Sequence, residues 1–371
     1  MGIIGCGSIS AAYLSLAPQF VGYKITACAD INRALAHERA AEFDCRSLNV
    51  DDLYKDKAID LVINLTVPSA HFEVSRDVVL AGKHVYSEKP YVLSLEQGEQ
   101  LQKLSIEKKV RIGSAPDTFL GGAHQKAREL VDSGAIGKIV SGSCYFYSHG
   151  MEDWHPHPDY FYQTGGGPVL DMGPYYISNL VQLLGPVKQV VAMANKPFLT
   201  RTISSEPRAG EQIDVDVQTT YNAIIEFEQG AQITFGSSWD VWSSDNNLIE
   251  IHGTTKSMVV PNPNHFGGDV RVNDAKSEQI FEPFQTLSKP NHPDAHGVLK
   301  SNYRGIGLAD MAMAITQGRQ HRCNGELALH VIDTLMCIEN SAASGRYERT
   351  TTTCSRPEAL SDSVAQTLVN I

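Results

Sequence analysis

Long apolar runs, paired cysteines and clustered positive charge are all scarce in this 371-residue chain. No apolar stretch reaches the roughly 20 residues that a bilayer-spanning helix needs, which excludes a membrane protein of that kind. The seven cysteines (Cys6, Cys28, Cys45, Cys144, Cys323, Cys337 and Cys354) are odd in number, scattered and never spaced as CxxC. Such usage speaks against a disulfide framework and for small buried thiols in a reducing compartment. Lys and Arg number 31 against 42 Asp and Glu, a net charge of -11 with no basic run to offset it. Phosphate backbones are repelled by such a surface, so no nucleic-acid partner is expected. The opening residues MGIIGCG already read as a strand, whereas a secretory leader would be charged and then apolar. A cytoplasmic location is expected.

What is present divides into two halves of different grammar. With 42% hydrophobic and 20% charged residues the balance is ordinary and globular, and the length suits two domains. Up to about Pro116, apolar β runs (GIIG, KITACAD, DLVINLTVP, KHVYSEKP, VRIGSA) alternate with helical stretches. Strands apolar nearly throughout, separated by helices, are what a parallel sheet buried on both faces requires. Beyond about Thr118 the strands (IVSGSCYFYSHG, VKQVVAMAN, VQTTYNAIIEF, AQITFGSSWD, NLIEIHG) alternate apolar and polar and lie close together. That pattern suits an antiparallel sheet with one covered face and one face open to a partner. The expected fold is thus an α/β N-terminal Rossmann domain with a doubly wound parallel sheet, residues 1–117. A C-terminal α+β domain with an open, mostly antiparallel sheet follows, residues 118–371. The segment 201–212 (RTISSEPRAGEQ) and the tail after Arg346 read as exposed loops.

The run Gly5-Cys6-Gly7-Ser8-Ile9-Ser10 directly follows the first strand and opens a helix. Gly5 permits the tight turn, and Gly7 lets a pyrophosphate approach the helix N-terminus, where free N–H groups favour an anion. Ser10 replaces the third glycine of the dinucleotide fingerprint with another small side chain. Asp30 ends the second strand, where a carboxylate hydrogen-bonds adenosine ribose hydroxyls; it also reads as a helix cap. Asn32 and Arg33 stand beside it. Asp30 favours NAD by repelling the extra phosphate of NADP, whereas Arg33 could accept that phosphate, so NADP stays possible.

These residues, together with NLTVPSAHF (64–72), SEKP (87–90), GAIGKI (134–139) and GGGPVLDMGPYY (165–176), resemble the Gfo/Idh/MocA oxidoreductases. The resemblance covers essentially the whole chain in the correct order. It implies an NAD(P)-dependent dehydrogenase of sugars, inositols or related polyols, with a dimer or tetramer formed through the open sheet. It also implies that Lys89 points into the active site, its bond to Pro90 often cis. Thr66, Pro68, His71 and Glu88 are then expected beside the nicotinamide and ribose.

The three glycines at 165–167 are expected to bring a helix N-terminus against the nicotinamide. On that helix Asp171 and Tyr175 are four residues apart and share a face, so both can meet Lys89. Many relatives carry histidine where this chain has Tyr175, and the tyrosine resembles the branch containing glucose–fructose oxidoreductase and dimeric dihydrodiol dehydrogenase. The expected roles are proton exchange by Tyr175, substrate polarisation by Lys89, and hydroxyl anchoring by Asp171, with Lys89 as the alternative base. Asp117, Trp154 and His155 are further candidate substrate contacts; packing or a turn role is the rival reading of each. His155 and His157 flank a proline with no third ligand, so no metal is expected. Two other functions of the same fold remain open at this point: an NAD-dependent glycoside hydrolase, and a non-catalytic NAD- and sugar-binding regulator.

Overall fold

The protein is described here by a computed structural model covering residues 1–293 and 297–370. Six short parallel strands, β1 (Gly2–Ile4), β2 (Ala27–Ala29), β3 (Arg46–Leu48), β4 (Leu61–Asn64), β5 (His84–Ser87) and β6 (Ile112–Ser114), form the first sheet. Helices α1 (Ser8–Leu16), α2 (Arg33–Glu42), α3 (Val50–Lys55), α4 (His71–Leu80) and α5 (Leu95–Lys108) connect them. Every residue of β1, β2 and β4 is buried, as helices on both faces demand. The strand order β3-β2-β1-β4-β5-β6 reverses direction between β1 and β4. Outside the carboxyl ends of that strand pair lies the crevice where ligands of open α/β sheets bind.

The second half opens with α6 (Gly122–Asp132) and β7 (Ile139–Tyr147), followed by α7 (Asp159–Tyr162), α8 (Pro168–Leu184) and β8 (Val187–Asn195). A small hairpin, β9 (Thr200–Thr202) and β10 (Gln212–Asp214), stands apart from the main sheet. Then come β11 (Thr220–Phe227), β12 (Gln232–Ser238), β13 (Ile249–Gly253), β14 (Ser257–Val260), β15 (Val270–Asn273) and β16 (Glu278–Phe281). The sheet order is β16-β15-β14-β13-β7-β12-β11-β8, closed at its far edge by Glu348–Arg349. All its pairs are antiparallel except β7 with β12, which run parallel. Burial alternates along β11, with Tyr221, Ala223, Ile225 and Phe227 facing inward. Helix α8 and the later helix α10 (Gly325–Ser344) pack on one another and cover that inner face. At this contact a Cβ on Gly173 would lie 2.5 Å from Leu335.

The last part of the chain returns to the first half. Helix α9 (Ile306–Gln317) packs on β6, and α10 touches both β6 and α5. The tail does not behave as an exposed loop. Leu360 and Leu368 are 1% exposed, the Val21 amide donates to the Leu368 carbonyl at 2.9 Å, and the Asn370 amide donates to that of Gln19. Polar residues there are consumed locally: one Asp333 oxygen accepts the Thr351 and Thr352 amides and the Thr352 hydroxyl. The segment 201–212 departs from expectation too. Arg201 is 5% exposed, because Glu152 and Asp240 pair with it, and Ile203 joins Met151, Phe161, Tyr162 and Trp239 in a satellite core. Counting charges marks such a stretch as solvated. A buried cation held by two carboxylates inverts that reading.

Candidate active site

The crevice is built from the ends of β1 and β4. Gly5 has a φ of 101°, and a Cβ there would lie 2.5 Å from the backbone carbonyl of Leu65. Only glycine permits both. Gly7 caps α1 without any side-chain bond to the helix amides, and a Cβ on it would meet nothing within 4 Å. The N-terminus at Ser8 and Ile9 therefore faces open space with donors free for an anion. Ser10, where the third glycine of the fingerprint was expected, is fully buried. Its hydroxyl donates to the Gly7 carbonyl at 2.6 Å and accepts from Arg39.

Asp30 closes one side of this cradle. One of its oxygens accepts the Cys6 amide at 2.7 Å and the other accepts the Asn32 amide at 2.7 Å. Asn32, not Asp30, is the side-chain cap of α2, taking the Ala34 amide. Asp30 is thus fixed by two amides with lone pairs remaining for hydroxyl donors. Arg33 turns inward: its buried Nη1 has no partner among the described residues. An uncapped helix start, a glycine with open space before it and a carboxylate held beside it together fit the pyrophosphate and ribose of a dinucleotide.

The next wall is the loop after β4. The Thr66 hydroxyl donates to Asn64 Oδ1 at 2.7 Å, and Pro68 opens a single turn before α4. His71, 1% exposed, places Nδ1 at 2.7 Å from the Pro90 carbonyl and Nε2 at 2.9 Å from the Thr66 carbonyl. It ties this loop to the one carrying Lys89. Burial outweighs these carbonyl contacts and lowers the His71 pKa. Glu88 is held by the buried Tyr13 hydroxyl at 2.8 Å and by the Lys89 amide at 2.9 Å.

Lys89 is joined to Pro90 by a cis bond and reaches across to the second half. Its ammonium donates to Asp171 Oδ1 at 2.7 Å and to the Asp171 carbonyl at 2.9 Å. The same nitrogen sits 5.3 Å from the centre of the Tyr175 ring, within cation–π reach. Asp171 and Tyr175 are one turn apart on α8, as i and i+4 residues must be. Burial works against charge on Lys89, but Asp171 and Tyr175 outweigh it and push its pKa up. The amine stays protonated through the neutral range.

The glycine run before α8 has a reason that the sequence did not disclose. A Cβ on Gly166 would sit 2.4 Å from the Tyr160 carbonyl and 2.5 Å from that of Phe161, and Gly167 has a φ of 91°. The turn is folded tightly under the 160–161 backbone, and so locks Tyr160 beside the helix start. Tyr160 is close enough to Asp171 and Lys89 to feel both charges; burial first, then Asp171, push its phenol up to about 12. The sequence did not single it out, because Tyr160 sits in a run of aromatics that no spacing distinguishes.

Three candidate substrate contacts fall in different places. Asp117 is 2% exposed, and one of its oxygens accepts the Gly305 and Gly307 amides at 2.8 and 3.0 Å. Of the two readings of Asp117, this geometry favours the turn role, since a carboxylate oxygen bonded to the start of α9 has a structural task. Burial raises its pKa to about 6. His155 stays near the centre, half-buried, with Nδ1 accepting the His157 amide and its ring edge-on to Phe161. Trp154 is 61% exposed and meets only the edge of His155 among described rings, so it lies on the rim. No group of three or more metal-ligating side chains occurs among the described residues. A second missed residue is Arg304, whose guanidinium is bonded to Asn302 and Asn264 and lies near enough to Tyr175 for the two charges to interact. It lies 129 positions after Tyr175, and no motif flags it.

Two profiles match the chain: an oxidoreductase family with an NAD-binding Rossmann fold over residues 1–115, and the GFO/IDH/MocA C-terminal domain over residues 124–259. The D-xylose dehydrogenase of Paenarthrobacter nicotinovorans is 28% identical over 224 residues, 57% of each chain. The match therefore spans little more than half the length of that relative, and 39% of an uncharacterized oxidoreductase from Schizosaccharomyces pombe. The levoglucosan dehydrogenase of Pseudarthrobacter phenanthrenivorans is 25% identical over 302 residues, 76% of each chain. A solved levoglucosan dehydrogenase in complex with NADH and L-sorbose superposes with a TM-score of 0.78 at 22% identity, covering 95% of this chain and 98% of the other. An NAD-binding oxidoreductase from Klebsiella pneumoniae gives 0.79 at 20% identity, with 95% and 98% covered. Both halves, in order and with the fold that each profile describes, place this chain in the Gfo/Idh/MocA oxidoreductase family.

Proposed function

We propose that the protein is an NAD-dependent dehydrogenase that oxidises a hydroxyl-bearing carbon of a sugar, inositol or related polyol, or reduces the corresponding ketone. The observation that carries this reading is the meeting of Lys89 from the first half with Asp171 and Tyr175 from the second, 2.7 Å and 5.3 Å away, beside the dinucleotide cradle. Relatives act on D-xylose, levoglucosan and scyllo-inositol according to their names, all neutral and polyhydroxylated.

Gly5, Cys6, Gly7, Ser8 and Ile9 hold the pyrophosphate on backbone amides, and Asp30 with Asn32 and Arg33 receives the adenosine ribose. Asp30 disfavours an added phosphate, so NAD is preferred to NADP. Thr66, Pro68, His71 and Glu88 line the nicotinamide end. Bound there, the nicotinamide supplies a hydride acceptor or donor. The chain's own residues handle the oxygen. Lys89, kept protonated by Asp171, donates to the reacting oxygen and cannot serve as base in that state. Proton exchange therefore falls to Tyr175, while Asp171 and His155 hold neighbouring hydroxyls. Trp154 offers an apolar face at the rim.

The open face of the second sheet is the proposed contact of a homodimer or homotetramer. Met193 is 79% exposed on β8, and Ile224, 48% exposed, lies beside Val191 in the β11–β8 register. Exposed apolar residues on a continuous sheet face favour a self-complementary partner.

The test is a panel of sugars, inositols and their lactones, followed at the nicotinamide absorbance with NAD and NADP. Turnover of a neutral sugar with NAD is expected, with loss of at least about 100-fold in kcat for Lys89→Met and Tyr175→Phe. Near-normal turnover in both variants would overturn the assignment. Release of free sugar from a glycoside without net NADH would replace it with redox-assisted hydrolysis.

A further inference from the structure

We propose that Arg208 is a positioning residue that holds the segment 152–162 over the cleft, an inference that rests on the proposed contact of Trp154 and His155 with the sugar. The loop between β9 and β10 carries none of the residues assigned to cofactor or substrate, yet it grips that segment at three points. The Glu152 carbonyl accepts the Ser204 and Ser205 amides at 2.9 and 3.0 Å. The His155 carbonyl accepts the Ser205 hydroxyl at 2.6 Å. At Asp159 the grip becomes ionic. Its two carboxylate oxygens accept from the two terminal nitrogens of Arg208, Oδ2 from Nη1 and Oδ1 from Nη2, the latter at 3.0 Å.

Of the three grips the paired fork is the strongest, because charge and planar geometry act together. Arg208 holds the Asp159 carboxyl below the usual carboxylate range. Through Nε it also donates to Glu211 at 2.8 Å, which leaves the other edge of the guanidinium for Asp159. The loop is closed on itself: the Ile203 amide donates to the Glu211 carbonyl at 2.9 Å, and the Gly210 amide to the Ile203 carbonyl at 2.7 Å. At its base the buried Arg201 pairs with Glu152 at 2.7 Å and with Asp240. Arg208 therefore works from a fixed support. Its side chain is 24% exposed and that of Asp159 33%, so solvent ions reach the pair.

What Asp159 carries explains the reach of this contact. It opens α7, and the ring centres of the next two residues, Tyr160 and Phe161, lie 3.9 Å apart. His155 meets both edge-on, at 6.0 and 5.2 Å, and Trp154 meets His155 at 5.3 Å. One aromatic cluster thus includes both proposed sugar contacts. On its far side the Phe161 carbonyl accepts the Gly167 amide at 2.8 Å, and the Gly167 carbonyl accepts the Asp171 amide at 3.0 Å. The cluster is suspended between Arg208 and the start of the helix that presents Asp171. Buried packing fixes the helix end, whereas the other end depends on an exposed charge pair. Releasing Arg208 should loosen the sugar contacts and leave the Lys89–Asp171 pair in place.

The expected signature is a sugar KM that depends on salt in the parent and not in the variant. Ions screen an exposed pair, whereas a neutral sugar has no charge to be screened. With saturating NAD, the parent KM for a sugar turned over in the panel should rise about threefold between low salt and roughly 0.5 M sodium chloride. In Arg208→Gln it should already be raised about three- to tenfold at low salt and stay flat, with kcat and the NADH dissociation constant within about twofold of the parent. Asp159→Asn should act alike, and the double variant should be no worse than either single one. A merely structural role would abolish neither the salt response nor the additivity. Parent-like KM and salt response in Arg208→Gln would overturn the inference, as would additive losses in the double variant. Should Arg208→Gln fail to fold by circular dichroism, Asp159→Asn supplies the same readings. Hydrogen exchange followed by mass spectrometry gives an answer without a substrate. Peptides covering 152–167 should exchange faster in Arg208→Gln, and those of 1–117 at the parent rate; unchanged exchange in 152–167 overturns the inference. The two failures are separable. A parent that turns over no sugar with either cofactor sinks the dehydrogenase reading while exchange still decides the grip of Arg208, whereas sugar turnover with a parent-like KM in Arg208→Gln sinks the positioning role alone.

Discussion

The two walls of the cleft are made in opposite ways. The cofactor wall is local: Gly5, Gly7 and Ser10 lie within six residues, and Asp30 reaches the same loop by bonding the Cys6 amide. The substrate wall is assembled from afar. Lys89 bonds Asp171 across 82 positions, and Arg304 comes near Tyr175 from a segment mounted on Asn264, Asn302 and Asp117. Backbone geometry dominates the first wall, and side-chain electrostatics the second. A local wall should break at a single backbone atom, whereas a dispersed wall should lose function in steps.

The largest expected effect is at the local wall. Gly5→Ala forces a left-handed φ of 101° on alanine and a 2.5 Å approach to Leu65, so NADH binding should vanish and stability fall by about 2–4 kcal/mol. Fluorescence titration with NADH and thermal melting measure both. Parent-like affinity in that variant would remove the contrast. Asp30→Ala should weaken NAD about tenfold while narrowing the preference over NADP, read from the ratio of the two dissociation constants.

Acid provides a third probe, aimed at the second half. His124 is fully buried, with Nε2 on the His265 carbonyl at 2.8 Å and Nδ1 at 2.8 Å from Asn179, and burial lowers its pKa to about 4. The folded state therefore holds His124 neutral where the unfolded chain, near 6.5, takes up a proton. Stability is present above about 6.5 and is lost as pH falls toward 4, by on the order of 3 kcal/mol from this group. His321, also lowered to about 4 by burial, adds a loss of the same sign. Chemical denaturation of His124→Gln at pH 7 and pH 5 should show a shallower acid loss than the parent. An unchanged slope would assign the acid sensitivity elsewhere. The smallest effect is expected at the rim: Trp154→Ala should raise KM a few-fold, leave kcat unchanged and alter stability by less than about 0.5 kcal/mol.

How far the sequence could be read follows the same division. The parallel sheet was legible because β1, β2 and β4 are apolar nearly throughout, and the cradle because most of its residues are contiguous. The i and i+4 spacing of Asp171 and Tyr175 was legible for the same reason, since helix periodicity is a local rule. Arg304 was not, because nothing local to SNYRGIG announces that its side chain comes near Tyr175. Asp117 was left open between two readings for a related cause: a polar residue in a loop says nothing of whether its oxygens face ligand or backbone. The tail and the segment 201–212 were taken as solvated on composition, although Leu360, Leu368 and Ile203 are buried. Their apolar residues are too sparse to form a period, and only tertiary partners reveal where they go.

The return of the tail to Phe20 and of α9 and α10 to β6 has a consequence for separability. A fragment cut at the change of sheet, near residue 117, would strip the first half of the helices that seal its last strand and of the residues that lie along Gln19–Val21. The nucleotide half is thus completed by polypeptide that follows the second sheet in sequence, so its first 117 residues alone lack part of their own core packing.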